Sequence, residues 1–105
     1  MRTITRYLGV MRGGGSLACD GQSLGRVEYE IEGFLKGPGE VVGSGEIRMA
    51  QAQLDKAFGR RDLRLTTDEG RVLEVRFSGR RRDVRTTAAH ADIGGELPSA
   101  DKWTR

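Results

Sequence analysis

The chain has 105 residues, 31% of them charged, with a net charge of +3 and a pI near 9.5. That length predicts one domain with a modest core. A single cysteine, Cys19, excludes an intramolecular disulfide, and with only His90 beside it a four-ligand Cys/His zinc site is excluded too. No metal or other cofactor is predicted.

The N-terminus, MRTITRYLGVMRGGG, lacks the apolar centre of a signal peptide, and no apolar run is long enough for a spanning helix, so the expected location is the cytoplasm. Residues 3–10 read as a first strand whose two faces are not cleanly polar and apolar, which fits either a strand buried on both sides or a register break at Gly9. Arg12-Gly13-Gly14-Gly15-Ser16 is the most glycine-rich run. Phosphate-binding loops join a strand to a helix N-terminus. Here a further short strand follows, so the run reads as a bulge or open loop between strands.

Asp20-Gly21 signals a tight hairpin turn, because both central positions of a type I′ turn need positive φ. The segment after it has the cleanest strand pattern of the chain. Val27, Tyr29 and Ile31 alternate with Glu28, Glu30 and Glu32. Leu24 is out of phase with Val27, which places a bulge at Gly25. Lys36-Gly37-Pro38-Gly39 is a turn by composition. Next comes a strand with Val41, Gly43, Gly45, Ile47 and Met49 on one face. Its two glycines predict sharp curvature or close backbone approach.

Residues 50–58 read as the one helix, with Leu54, Ala57 and Phe58 on a common face and Gly59 as the stop. So short a helix must dock to persist, which makes it a lid over one end of a barrel or one edge of a sheet. Asp62–Ser78 is a second hairpin. Leu63 and Leu65 alternate on one strand, Leu73, Val75 and Phe77 on the other, and Gly70 lies in the turn. Its tip resembles the Asp20-Gly21 tip, a hint of an internal repeat. Beyond it, Val84, Thr86 and Ala88 give only weak alternation, and Ile93 and Leu97 pin the end. Residues 98–105 read as a polar, flexible tail after a single β-rich domain of residues 1–97. Three placements stay open for Trp103: against the body, on a partner, or disordered.

The predicted fold is all-β or nearly so. A small antiparallel meander of about six to seven strands forms a closed or half-open barrel or sandwich, with one short capping helix near residues 50–58.

Charge is uneven along the chain. Residues 1–57 are neutral overall and residues 58–105 carry the whole net charge of +3. The densest basic run is Arg80, Arg81, Arg82 and Arg85, which with Arg60 and Arg61 forms the candidate phosphate-binding set, since arginine offers a bidentate fork to phosphate. For catalysis the inventory is thin. His90 would have to serve Ser16, Ser23, Ser44, Ser78 or Ser99, and none sits in a nucleophile elbow; Gly43-Ser44-Gly45 comes nearest.

The expected function is therefore a small non-enzymatic binding or accessory domain acting through surface contacts. Its partner would be a protein or a second copy joined through an edge strand. Nucleic-acid or phosphate-ligand binding through the arginines is a second expectation, and carriage of a small apolar ligand in the barrel a third. No membrane partner is predicted.

Overall fold

A computed structural model describes residues 5–78 and 88–104 of the chain. Six antiparallel strands form one closed barrel with one short α-helix, α1, as the sequence predicts. The strands are β1 (Thr5–Cys19), β2 (Gln22–Lys36), β3 (Glu40–Arg48), β4 (Leu63–Thr67), β5 (Val72–Phe77) and β6 (Ala88–Gly95); α1 (Gln51–Ala57) joins β3 to β4. Around the barrel the order is β1-β2-β3-β6-β5-β4, with β4 closing back on β1.

Alternation decides which side of each strand faces in. Val27, Tyr29 and Ile31 are buried on β2, Leu63 and Leu65 on β4, Leu73 and Val75 on β5. The intervening charged residues face solvent. Leu17, Ile31, Ile47, Leu54, Leu63, Leu65 and Leu73 are completely enclosed. Each such side chain contributes about 1.5–3 kcal/mol relative to an exposed one. The helix buries Leu54 and Ala57 in the same cluster, and Phe58 just beyond it stacks on Phe77 with ring centroids 5.1 Å apart.

Local turn chemistry follows the sequence. Asp20 and Gly21 both take positive φ, at 53° and 78°. At the β4–β5 turn the Thr67 amide donates to the Arg71 carbonyl at 2.8 Å, and the Arg71 amide donates to Thr67 Oγ1 at 3.0 Å. That bond satisfies the one buried polar side chain among the described residues. The register shifts fall where expected, between Tyr7 and Gly9 and between Leu17 and Ala18, opposite Gly25.

The glycine run differs from expectation. It is neither bulge nor loop but the middle of one continuous 15-residue strand, β1. The missing side chains make room for neighbours. A Cβ on Gly15 would strike the Thr66 carbonyl, and one on Gly13 would lie 2.7 Å from the Tyr29 hydroxyl. Gly45, across the barrel, likewise faces the Glu30 carbonyl.

The two look-alike hairpins share one register. Leu17 pairs with Gly25 and Gly15 with Val27; in the same way Leu65 pairs with Leu73 and Leu63 with Val75. Leu17 and Leu65 then face each other where β1 meets β4. Each three-stranded meander is followed by a capping segment. After β3 it is α1, whose Gln53 lies against Gly25; after β6 it is the turn at Ala100–Lys102, which brings Trp103 onto Gly33. The caps thus sit toward opposite ends of β2. Trp103 Nε1 donates to the Pro98 carbonyl at 3.0 Å, and the Val10 amide donates to the Thr104 carbonyl at 2.8 Å. Of the three placements left open by the sequence, Trp103 occupies the one against the body.

Gly45→Ala should destabilise the fold by more than about 3 kcal/mol, because its Cβ meets backbone that cannot move aside. Gly33→Ala should cost about 1–3 kcal/mol by displacing the Trp103 ring. Gly94→Ala, whose nearest neighbour would be Glu74 Oε2 at 3.8 Å, should stay within about 0.5 kcal/mol of the parent. Urea unfolding midpoints would rank the three.

Candidate functional site

The outer wall over β1, β2, β3 and β6 carries a groove of about 700 Å³. Its wall residues come from strand alternation: Glu28, Glu30 and Glu32 are the outward positions of β2, exposed on one face. Five carboxylates (Glu28, Glu30, Glu32, Glu46, Asp68) line it against three arginines, Arg12, Arg26 and Arg48, with His90 on the far wall.

Three ion pairs organise those charges. Arg12 Nε lies 3.2 Å from Glu30, and Arg48 Nε 3.9 Å from Glu46. Arg26 grips Asp68 bidentately at 2.6 and 3.0 Å, above Gly14. The guanidinium beside Asp68 holds that carboxyl below the usual aspartate range and raises Arg26 in turn. Glu28 and Glu32 have no partner among the described residues.

Tyr29 lies behind the glutamate row: it is only 7% exposed and its ring belongs to the core, on the face of β2 opposite Glu28 and Glu30. Its hydroxyl emerges at Gly13, where β1 and β4 have parted beyond Gly15 and Thr67. Burial pushes the phenol pKa up, and the negative charges of Glu69 and Asp68 push it further. The hydroxyl has no hydrogen-bond partner among the described residues. Alternation assigned Tyr29 to the core and gave no sign of this opening, because the opening depends on where β4 ends.

Two further groupings arise from strand pairing. Ser44 faces Asp92 and Glu46 faces His90 across β3 and β6, so Ser44 and His90 are diagonal neighbours on the outer face. Ser44 Oγ and His90 Nε2 lie 3.0 Å apart. A nucleophile and base would further need a group that orients the base and donors for an oxyanion. Among the described residues no carboxylate hydrogen-bonds the other ring nitrogen of His90.

At the helix end of the barrel, Cys19, Asp20 and Asp62 bring one ligand atom each within 4.8 Å of one another. The Cys19 thiol donates to Asp62 Oδ1 at 3.0 Å. That bond raises the thiol pKa, with burial adding to it, and lowers that of Asp62. Asp20 is raised by its hydrogen bond to Asp62.

Of the six arginines in the phosphate-binding set, Arg80, Arg81, Arg82 and Arg85 lie outside the described residues. Arg60 and Arg61 are exposed just beyond the helix. Arg60 stands near the Asp20–Asp62 pair and donates to the Lys56 carbonyl at 3.4 Å. Arg61 borders a second open cleft with Arg64, Glu74, Arg76 and Asp92, in which Arg64 pairs with Glu74 at 3.5 Å. These two arginines therefore sit among carboxylates. The barrel interior, where an apolar ligand would be held, is filled by the enclosed leucines and isoleucines. No helix among the described residues is long and apolar enough to cross a membrane.

No protein-family model, curated protein or solved structure matches the chain.

The Cys19–Asp62 bond has two measurable consequences. At mildly alkaline pH Cys19 should react with iodoacetamide at least about tenfold more slowly in the folded chain than in urea, and Asp62→Ala should narrow that gap. The bond's stabilising effect should also fade at both extremes. Asp62, depressed in the fold, loses its contribution as pH falls through its folded value. Cys19, raised in the fold, loses its contribution as pH rises through its own. Unfolding midpoints of parent and Asp62→Ala, followed across pH, would check both limbs.

Proposed function

We propose that the protein is a small non-enzymatic binding module that meets a partner protein or a second copy through surface contacts, chiefly along the open side of β1. One observation carries this reading. β1 pairs with β2 along nearly its whole length, from Thr5 to Cys19, but with β4 only from Gly15 to Cys19. On the other side of residues 5–13 the described residues supply a single bridge, Val10 to Thr104.

The Val10 amide points away from β2, because it donates to Thr104. Alternate residues of an antiparallel strand share that direction, so the amide and carbonyl of Arg12 face the open side too. The Gly14 carbonyl, two residues on, accepts from the Asp68 amide on that side. Main-chain groups without a partner among the described residues, here those of Arg12, are a template for an added strand. Beside it stands an aromatic pair, Tyr7 and Phe34, in edge contact at 5.6 Å, with Tyr7 41% exposed. An aromatic patch next to an open edge suits a protein partner, whose side chains cover the rings while its backbone extends the sheet. Four surface arginines, Arg12, Arg26, Arg48 and Arg64, each lie against a carboxylate and so are already engaged.

The edge is tested by amide hydrogen exchange. The Arg12 amide should exchange much faster than that of Ile31 in dilute protein, and should become protected at high concentration or on partner binding. Arg12→Pro removes the outward donor at an edge position where proline is tolerated. It should keep the fold, by circular dichroism, and abolish that protection. Protection that survives in Arg12→Pro would overturn the reading, as would an Arg12 amide already slow in dilute protein.

A further inference from the structure

The open side of β1 already holds one occupant, the segment around Trp103 and Thr104. We infer that residues 98–104 are a detachable strap, and that the seat beneath it is where the partner of the β1 edge places an aromatic side chain. The seat is bare backbone at Gly9 and Gly33 beside the outward Val10 amide. The partner is thus an extended segment, antiparallel to β1, with an aromatic residue on its inner face. This deepens the binding-module reading by naming the chemical class of partner, and it rests on that reading.

The seat comes first. Gly9 and Gly33 stand directly opposite each other in the β1–β2 ladder, and both are buried. Gly33 continues by twos the inward row of Val27, Tyr29 and Ile31. The inner face therefore lacks side chains at this pair, and the Trp103 indole covers the gap. A Cβ on Gly33 would come within 2.6–2.7 Å of three of its ring atoms. An aromatic ring laid over glycine restores the apolar cover that the missing side chains cannot give.

The hold of the strap is the second observation. Its pairing with β1 is antiparallel and one bridge long, Val10 to Thr104. The residue opposite Arg12 would be Lys102. The Lys102 amide instead donates to the Ser99 carbonyl at 2.9 Å, in the turn at Ala100–Lys102, so the strap leaves β1 there. Its other hydrogen bonds among the described residues are internal, from Trp103 Nε1 to the Pro98 carbonyl at 3.0 Å and from Ser99 Oγ to Asp101 at 2.8 Å. One ring and one main-chain bond attach it, while Ser99, Asp101, Lys102 and Thr104 are exposed. A segment with so few attachments opens at far lower cost than the whole fold.

An incoming strand gains more than the strap does. It accepts from the Val10 amide as Thr104 does, and it reaches the outward amide and carbonyl of Arg12 as well. Its residue opposite Met11 falls where Trp103 falls, because directly opposed residues share a face and Met11 packs against the core. Pairing thus fixes which side chain of the partner meets the glycines. Strap and partner cannot both hold Val10, so the strap competes with the partner and sets the threshold for binding.

The test is an NMR titration of the full chain with two capped heptapeptides, Lys-Thr-Thr-Trp-Thr-Thr-Lys and its counterpart with alanine at the centre. Trp103→Ala vacates the seat. In that variant the tryptophan peptide should shift the Val10, Arg12 and Gly33 amides, and should bind at least about tenfold more tightly than to the parent, where the strap must open first. The alanine peptide should leave those amides unmoved. In the parent alone, the Val10 amide should exchange at least about a hundredfold faster than that of Ile31, without the urea dependence of global unfolding. That last readout needs no variant and decides the matter should Trp103→Ala not fold. Equal binding of the two peptides, equal affinity for variant and parent, or a Val10 amide that exchanges only with Ile31 would each overturn the inference. If both peptides protect the Arg12 amide alike and leave Gly33 unmoved, the seat falls while the edge reading stands. If the tryptophan peptide moves Gly33 and its protection survives in Arg12→Pro, the edge reading falls while the seat stands.

Discussion

Closing six strands into a ring forces backbones together at a few points, and the rest of the molecule depends on those points. At Gly15 the inner face of β1 lies against the Thr66 carbonyl, and at Gly45 β3 lies against the Glu30 carbonyl. Neither place has room for a Cβ. A barrel this small has a high curvature per strand, and curvature of that kind is built from glycines and bulges. The bulge opposite Gly25 and the register shift at Gly9 belong to the same device. With the ring closed, the seven enclosed side chains fill the interior, and the two capping segments need only cover its ends.

The same glycines have a second consequence. Gly13 and Gly14 lie just past the last β1–β4 pair. There the ring stops needing β4, and β1 continues beside β2 alone. What results is a lobe of long strands projecting beyond the barrel, with one open side and a groove on its outer wall. Tyr29 stands at the junction, its ring in the core and its hydroxyl at the surface.

Most of the architecture was legible in the residues. Val27, Tyr29 and Ile31 against three glutamates named β2 and its inner face. Asp20-Gly21 and Gly70 named two turns, and Leu54, Ala57 and Gly59 named the helix and its end. The pattern of β1 is interrupted because glycine carries no alternation to follow, so Gly13–Gly15 show no strand signal although they are strand. The second half of β6 was faint for the same reason, with Gly94 and Gly95 in it. Trp103 could not be placed because its site is Gly33, a residue that says nothing of what lies above it.

The sequence by itself determined most strands, the helix, the inward face of each patterned strand and the acidic row on β2, because these follow from local propensity and from a period of two along the chain. Only the tertiary structure decided which strands became neighbours. That choice joined Ser44 to His90, Cys19 to Asp62 and Arg26 to Asp68, left one side of β1 open, and put the Tyr29 hydroxyl beside Gly13, where β4 turns away. The physical reason is that pairing around a ring depends on long-range registry and on where close backbone contact is allowed. Alternation along a single strand carries no information about either.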